Sequence, residues 1–350
     1  MAQQAGLRHP RRRMSDNFDA LLVLGFGGPE KPEDVMPFLE NVTRGRGIPR
    51  QRLLSVAENY YRLGGRSPIN DQCRALIAAL RAELDTHAIA LPIYWGNRNW
   101  HPFLEDTMRR MAADGVRRAL IFVTSAYSSY SACRQYLEDV EAARAGVGAT
   151  APEFERLPRY CLLPGFVDPM TERVCDALAA IPEGRRNAAR LLCTAHSIPI
   201  SMAQPSQYVE QLTEVAQRVA AGAGFATHRL VFQSRSGPPG QPWLEPDIRD
   251  ALSEEAAAGV KDVVVAPIGF LSDHMEVVVD LDIQAKEHAT ELGLNMVRAA
   301  TVGIHPRFVA MIRELICERL SGAREAWVWP CLADCCPNPH RMGMPPGRPA

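Results

Sequence analysis

Short apolar runs alternate along the chain with stretches whose apolar positions recur every three or four residues. The runs Ala20–Gly25, Leu91–Trp95, Ala119–Thr124, Arg190–Thr194, Arg229–Gln233, Val263–Ile268 and Asn295–Arg298 predict strands. The longer periodic stretches Pro32–Asn41, Gln72–Thr86, Leu104–Asp114, Met170–Ile181, Tyr208–Ala221, Pro246–Ala258, Glu276–Leu292 and Pro306–Leu320 predict helices. Such alternation means a parallel α/β protein, and an unbroken apolar strand such as Val263–Ala266 means a sheet covered on both faces. A faint repeat relates Leu21–Pro29 to Leu191–Pro199 and Gly115–Thr124 to Gly259–Pro267, so two similar halves are expected. Open α/β sheets bind ligands beyond the carboxyl ends of their strands. The polar loops Phe26–Pro29, Thr124–Ser131, His196–Pro199 and Gly269–Glu276 should therefore border a cleft between the halves.

The chain has 350 residues, enough for two hydrophobic cores. We divide it into an Arg-rich disordered tail (1–17), two domains (18–158 and 159–305), a terminal helix (306–322) and a frayed Cys-containing extension (323–350). Met14 is a second candidate start beside Met1. Lys and Arg total 39 against 40 for Asp and Glu, which removes any electrostatic reason to expect nucleic-acid binding. The longest apolar run, Val263–Leu271, is too short for a transmembrane segment and contains Pro267 and Gly269, leaving peripheral membrane contact open. Nine unevenly spaced cysteines argue against a disulfide-stapled secreted domain and for a reducing, cytoplasmic setting.

Several groups carry candidate chemistry. In Gly25-Phe26-Gly27-Gly28 the third glycine of a dinucleotide fingerprint falls on Glu30, whose charge repels a pyrophosphate, so a tight turn closed by Pro29 is the better reading. His196, in Thr194–Pro199, sits among small residues at a strand end, where an imidazole can take a proton or ligate a metal; a satisfied turn histidine is the bland alternative. In Asp273-His274-Met275-Glu276 a helix is expected to begin. Glu276, Asp280, Gln284 and Glu287 then fall near one face and can escort a hydrated divalent cation inward; a plain solvated face is the alternative. Arg44 and Arg46 can clamp carboxylates, and the Ser125–Tyr130 aromatics can stack on a flat apolar ligand. Cys331, Cys335 and Cys336 lie within six residues and suit an Fe–S or zinc site completed from elsewhere by Cys175 or Cys161, or by His340 for zinc. An oxidisable tail is the competing view.

Taken together and in order, Gly25–Pro29, Arg44-Gly45-Arg46, Gly64–Ile69, Thr194–Pro199, Gln233–Gly237 with Pro242-Trp243-Leu244, and Pro267–Phe270 through Asp273–Glu276 resemble the ferrochelatases over about residues 18–320. The resemblance implies two Rossmann-like domains around an active-site cleft, and insertion of Fe²⁺ into a porphyrin, coproporphyrin III or protoporphyrin IX, in haem biosynthesis. It implies that His196 and Glu276 bind the incoming iron and manage the pyrrole protons. Asp273, His274 and Asp280 are secondary, and Phe26, Ser67, Tyr136, Arg44 and Arg46 face the porphyrin. Phe26 replaces a tyrosine of some relatives, and Gln284 a carboxylate of an outer metal site. The terminal cysteines resemble the [2Fe–2S] extension of some members, with Cys175 preferred over Cys161 as internal ligand. His196 and Glu276 are expected to meet across an interdomain gap wide enough for a planar macrocycle. A monomer or homodimer fits equally. The rivals are a sirohydrochlorin or cobalt chelatase, a non-catalytic porphyrin or haem carrier, and an Fe–S redox protein.

Overall fold

The computed structural model describes residues 18–237, 240–322 and 335–338, and within them eight strands form two four-stranded parallel sheets. Strands β1 (Ala20–Gly25), β2 (Ile93–Asn97), β3 (Arg118–Val123) and β4 (Glu153–Arg156) lie in the order β2-β1-β3-β4. Strands β5 (Arg190–His196), β6 (His228–Gln233), β7 (Asp262–Ala266) and β8 (Asn295–Arg298) repeat that topology as β6-β5-β7-β8. The repeat in the sequence thus falls on the corresponding central strands, β1 with β5 and β3 with β7.

Alternation along the strands decides which core each residue joins. Leu21, Val23, Leu120 and Phe122 pack on the Ile69–Thr86 helix, while Leu22, Leu24, Ile121 and Val123 pack on the helices Leu104–Ala113 and Gln135–Val147. The first of these cores continues without a break into the second half. It takes in Leu191, Cys193, Val264 and Ala266 through the helices Pro164–Ala179, Tyr208–Gly222 and Pro306–Leu320. Two halves that share one close-packed interior cannot hinge freely. Polar links add to this: the Tyr127 hydroxyl donates to the Ile268 carbonyl (2.8 Å), and Gln72 pairs with both backbone polar groups of Asp273 (2.9 and 3.1 Å).

The structure departs from the sequence reading in five places. Strand β4 is added at a sheet edge, and helices Arg50–Arg62 and Gln135–Val147 were not expected. The helix expected from Met170 begins at Pro164. The helix expected over Glu276–Leu292 is a short α-turn at Met275–Val277, a π-helical segment at Val278–Ala285 and an α-segment at Lys286–Glu291. A second π-helical turn, Tyr130–Arg134, follows β3 as the first follows β7, so this irregularity belongs to the repeat. π-Segments inside helices gather at functional sites. The tail, the extension with Cys331, and His340 lie outside the described residues.

Candidate active site

Strand β5 runs two residues past its expected end, which makes His196 its last residue, paired in register with Gln233 of β6. Its Nδ1 lies against the Ser197 carbonyl and so carries a proton. Its Nε2 is left to face Glu276 Oε2 at 3.6 Å. Glu276 arrives from β7, the strand next to β5, through a loop that passes close enough for a Cβ on Gly269 to fall 2.6 Å from that of Ala195. His274 Nδ1 accepts the backbone N–H of Glu276 (3.1 Å) and of Val277 (3.4 Å), capping the turn that presents the carboxylate. The pair is reachable: 32% of the His196 side chain and 40% of the Glu276 side chain are exposed.

His196 and Glu276 therefore do not face each other across a gap between halves. Both stand on the wall of the second half, because adjacent strands carry them, and 3.6 Å admits no ring between them.

Charge is distributed unevenly here. Burial pushes the His196 imidazole down, but Glu276 outweighs it, so the group holds its proton above the ordinary histidine range. Burial also works against an ionised Glu276, yet His196, with His274 adding, holds its carboxyl at about 2. Each partner thus favours the other's charged form, imidazolium against carboxylate. Asp280, the next carboxylate along, is pushed up to about 6 by burial and by Glu276, with the Ser234 hydroxyl opposing. Burial and the nearby His196 hold His274 down, and with Nδ1 accepting backbone N–H groups it serves as a neutral cap.

The remaining candidates fall into three groups. Phe26 lies at the carboxyl end of β1, 36% exposed, edge-on to Phe38, with the Arg98 guanidinium 6.0 Å from its ring. Ser67 is buried against Gly28, where a Cβ would meet Ser67 Cβ at 2.9 Å, so the glycine run of this turn makes room for protein. Arg44 and Arg46 stand exposed in the loop before Arg50–Arg62. By contrast Tyr136 is buried in the first-half core with Arg98 stacked over it at 4.4 Å, which leaves no open ring face for a ligand. Asp273 Oδ1 is paired with Arg298 (2.9 Å). Cys175 is exposed beside Glu172 and Asp176, and Cys161 is buried in the shared core. The thiol that Cys336 meets is instead that of Cys133, a residue read from the sequence as a small buried apolar side chain.

Tyr60, Gln233 and Ser234 also border the site; sequence reasoning did not single out Tyr60, and the Gln233–Gly237 stretch carries the resemblance without a role for Gln233 or Ser234. Tyr60 is buried where the Arg50–Arg62 helix meets Met275, Val279 and Ile283, and the Glu276 charge raises its pKa further. The helical spacing of Leu53, Ala57 and Tyr60 was the available signal.

Residues 18–320 match the family model for ferrochelatase. The chain belongs to the ferrochelatase family. A coproporphyrin III ferrochelatase from Nocardia farcinica is 49% identical over 350 residues, spanning 94% of this chain and 99% of that protein. A second, from Frankia alni, is 52% identical over 343 residues, spanning 92% and 87%. SirB from Bacillus subtilis with Fe³⁺ shares the fold alone, with a TM-score of 0.54 at 12% identity over 87% of this chain and 96% of that one. This ferrochelatase inserts Fe²⁺ into a porphyrin, and the sirohydrochlorin, carrier and redox readings give way. Among the described residues, no helix is long and apolar enough to cross a membrane.

Proposed function

We propose that this ferrochelatase is a cytoplasmic enzyme acting on coproporphyrin III, with His196 and Glu276 receiving the iron. The observation that carries the assignment is the partly exposed His196–Glu276 pair at the carboxyl ends of β5 and β7. Two relatives of about half-identical sequence are named for coproporphyrin III. Coproporphyrin III carries four carboxylates, and the lip around Arg50–Arg62 presents Arg44, Arg46, Arg52 and Arg62 to solvent, a cation supply that suits such a ring.

The chemistry follows from the protonation states. Metallation takes Fe²⁺ and a porphyrin with two N–H groups to an iron porphyrin and two protons. Glu276 favours a proton on His196 Nε2, and His196 is a base only in the form that lacks it. Fe²⁺ approaching Glu276 repels the imidazolium and favours its loss. The freed Nε2 has a single lone pair, which meets either the iron or a proton; with the iron held by Glu276, it can accept the proton of a pyrrole N–H on a ring stacked over the pair. Asp280, poised near neutrality, is suited to pass protons outward. Phe26, lacking a hydroxyl, offers only an apolar edge to the ring.

The terminal cysteines form a second, separate reading. Arg156 Nη1 lies 2.9 Å from Cys133 Sγ. The Cys336 thiol first, then Arg156 and Arg159, hold Cys133 down toward thiolate, while the same hydrogen bond holds Cys336 up as its thiol donor, a proton that cluster binding would release. Among the described residues no three metal-binding side chains converge, so the fit is partial. Cys133 and Cys336 would hold a [2Fe–2S] cluster, with Cys335 beside them and Cys331 outside the described residues. The cluster, when bound, supplies one-electron chemistry, and no step of metallation runs through it.

Anaerobic steady-state assays with Fe²⁺ and either porphyrin test the substrate. A higher kcat/KM for coproporphyrin III is expected, and a preference for protoporphyrin IX overturns the assignment.

A further inference from the structure

Ser234 follows the last residue of β6 with a φ of +63°, a left-handed conformation that a non-glycine residue seldom adopts. In this conformation its hydroxyl donates to Asp280 Oδ2. Gln233, 1% exposed, lends support: its Nε2 stands 3.4 Å from the same oxygen and 3.3 Å from the Glu276 carbonyl. Gln233 Oε1 is buried with no partner among the described residues, so the amide takes its orientation from those two contacts. The Gln233 carbonyl in turn accepts the Ser197 N–H at 2.8 Å. One strand end thus ties the loop of His196 to the π-segment that bears Asp280.

We propose that Ser234 is a positioning residue for iron delivery, holding Asp280 as the second carboxylate on the approach to the His196–Glu276 pair. Met275 in the turn before it, and Val279 and Ile283 within it, pack on the first half, so the backbone of the π-segment is held and the Asp280 side chain is what remains to be aimed. Two directional donors on one oxygen aim it, and leave Oδ1 to the cation. The inference rests on the reading of His196 and Glu276 as the iron-receiving pair.

The test separates hydroxyl from backbone. Ser234→Gly relaxes the left-handed turn and removes only the hydroxyl; Ser234→Thr keeps the hydroxyl and strains the turn. If Ser234 positions Asp280, the glycine variant shows a KM for Fe²⁺ raised about tenfold, as loss of a charge-assisted hydrogen bond allows. Its kcat, porphyrin affinity and melting temperature stay near native. Ser234→Thr melts earlier yet keeps a near-native KM. In an Asp280→Asn background, Ser234→Gly adds nothing. A glycine variant with native KM, or an effect fully additive with Asp280→Asn, overturns the inference and reduces Ser234 to a turn residue. Glu276→Gln, assayed alongside, isolates the premise: an active Glu276→Gln removes the iron-receiving pair itself, whatever Ser234 does.

Discussion

Replacing Asp280 with asparagine should make the protein more stable and a poorer enzyme, and the gain in stability should depend on pH. Burial, with Glu276 adding, raises this carboxyl from 3.8 to about 6. Ionising a group so shifted costs the folded state about 3 kcal/mol at neutral pH. Asp280 is half-buried, and solvent screening brings the expected gain down to about 1–2 kcal/mol. The sign follows from linkage: an acid whose folded value is raised is neutral in both states below 3.8, and the penalty grows as pH rises through 4 to 6. Asparagine keeps an acceptor for Ser234 and Gln233 and carries no charge at any pH. Thermal unfolding of both proteins at pH 4 and pH 7.5 provides the assay. At about 2 °C per kcal/mol, the variant should melt roughly 2–4 °C higher at pH 7.5 and near the parent at pH 4. Its KM for Fe²⁺ should rise. Equal differences at both pH values, or a variant that melts lower at pH 7.5, would refute the electrostatic account of this residue.

Other consequences follow from the same geometry. In an NMR titration, the His196 ring should hold its proton to above pH 6.5 in the parent, and Glu276→Gln should lower that value, since burial is then opposed only by the Ser197 carbonyl and Asp280. An unchanged midpoint would show that Glu276 does not set the charge of the imidazole. If the cluster is present, Cys133→Ser should abolish visible absorption that Cys175→Ser leaves intact; the reverse pattern would return the ligand to the Pro164–Ala179 helix. Gly28→Ala places a Cβ 2.7 Å from Ile69 and 2.9 Å from Ser67 and should destabilise by about 1–3 kcal/mol, measured by denaturant unfolding.

Much of the architecture could be read from the sequence because the central strands are buried on both faces. Val263–Ala266 is apolar at every position, and so it cannot be mistaken for a solvated edge. Strand β4 (Glu153–Arg156) escaped for the opposite reason: it lies at an edge, three of its four residues are charged, and pairing with β3 alone orders it. The π-segments left no trace in periodicity, since four-residue spacings of Met275, Val279 and Ile283 read equally as an α-helical face. The histidine and the carboxylate were identifiable by residue type and loop position, but their common wall was not. That follows from β5 and β7 being neighbours, which the order of strands in the sheet decides. Cys133 was invisible for a related reason. It stands about two hundred residues from Cys336, and no local pattern sets a thiol in the Tyr130–Arg134 turn apart from a core cysteine.

The account stands or falls on His196 as the group that takes a pyrrole proton. Single-turnover metallation by His196→Ala, followed by stopped-flow absorbance, should be compared with its porphyrin affinity measured by fluorescence quenching. Metallation slowed by about 10²–10⁴-fold with porphyrin affinity near native is the expected result. Metallation at the parent rate would contradict the account directly.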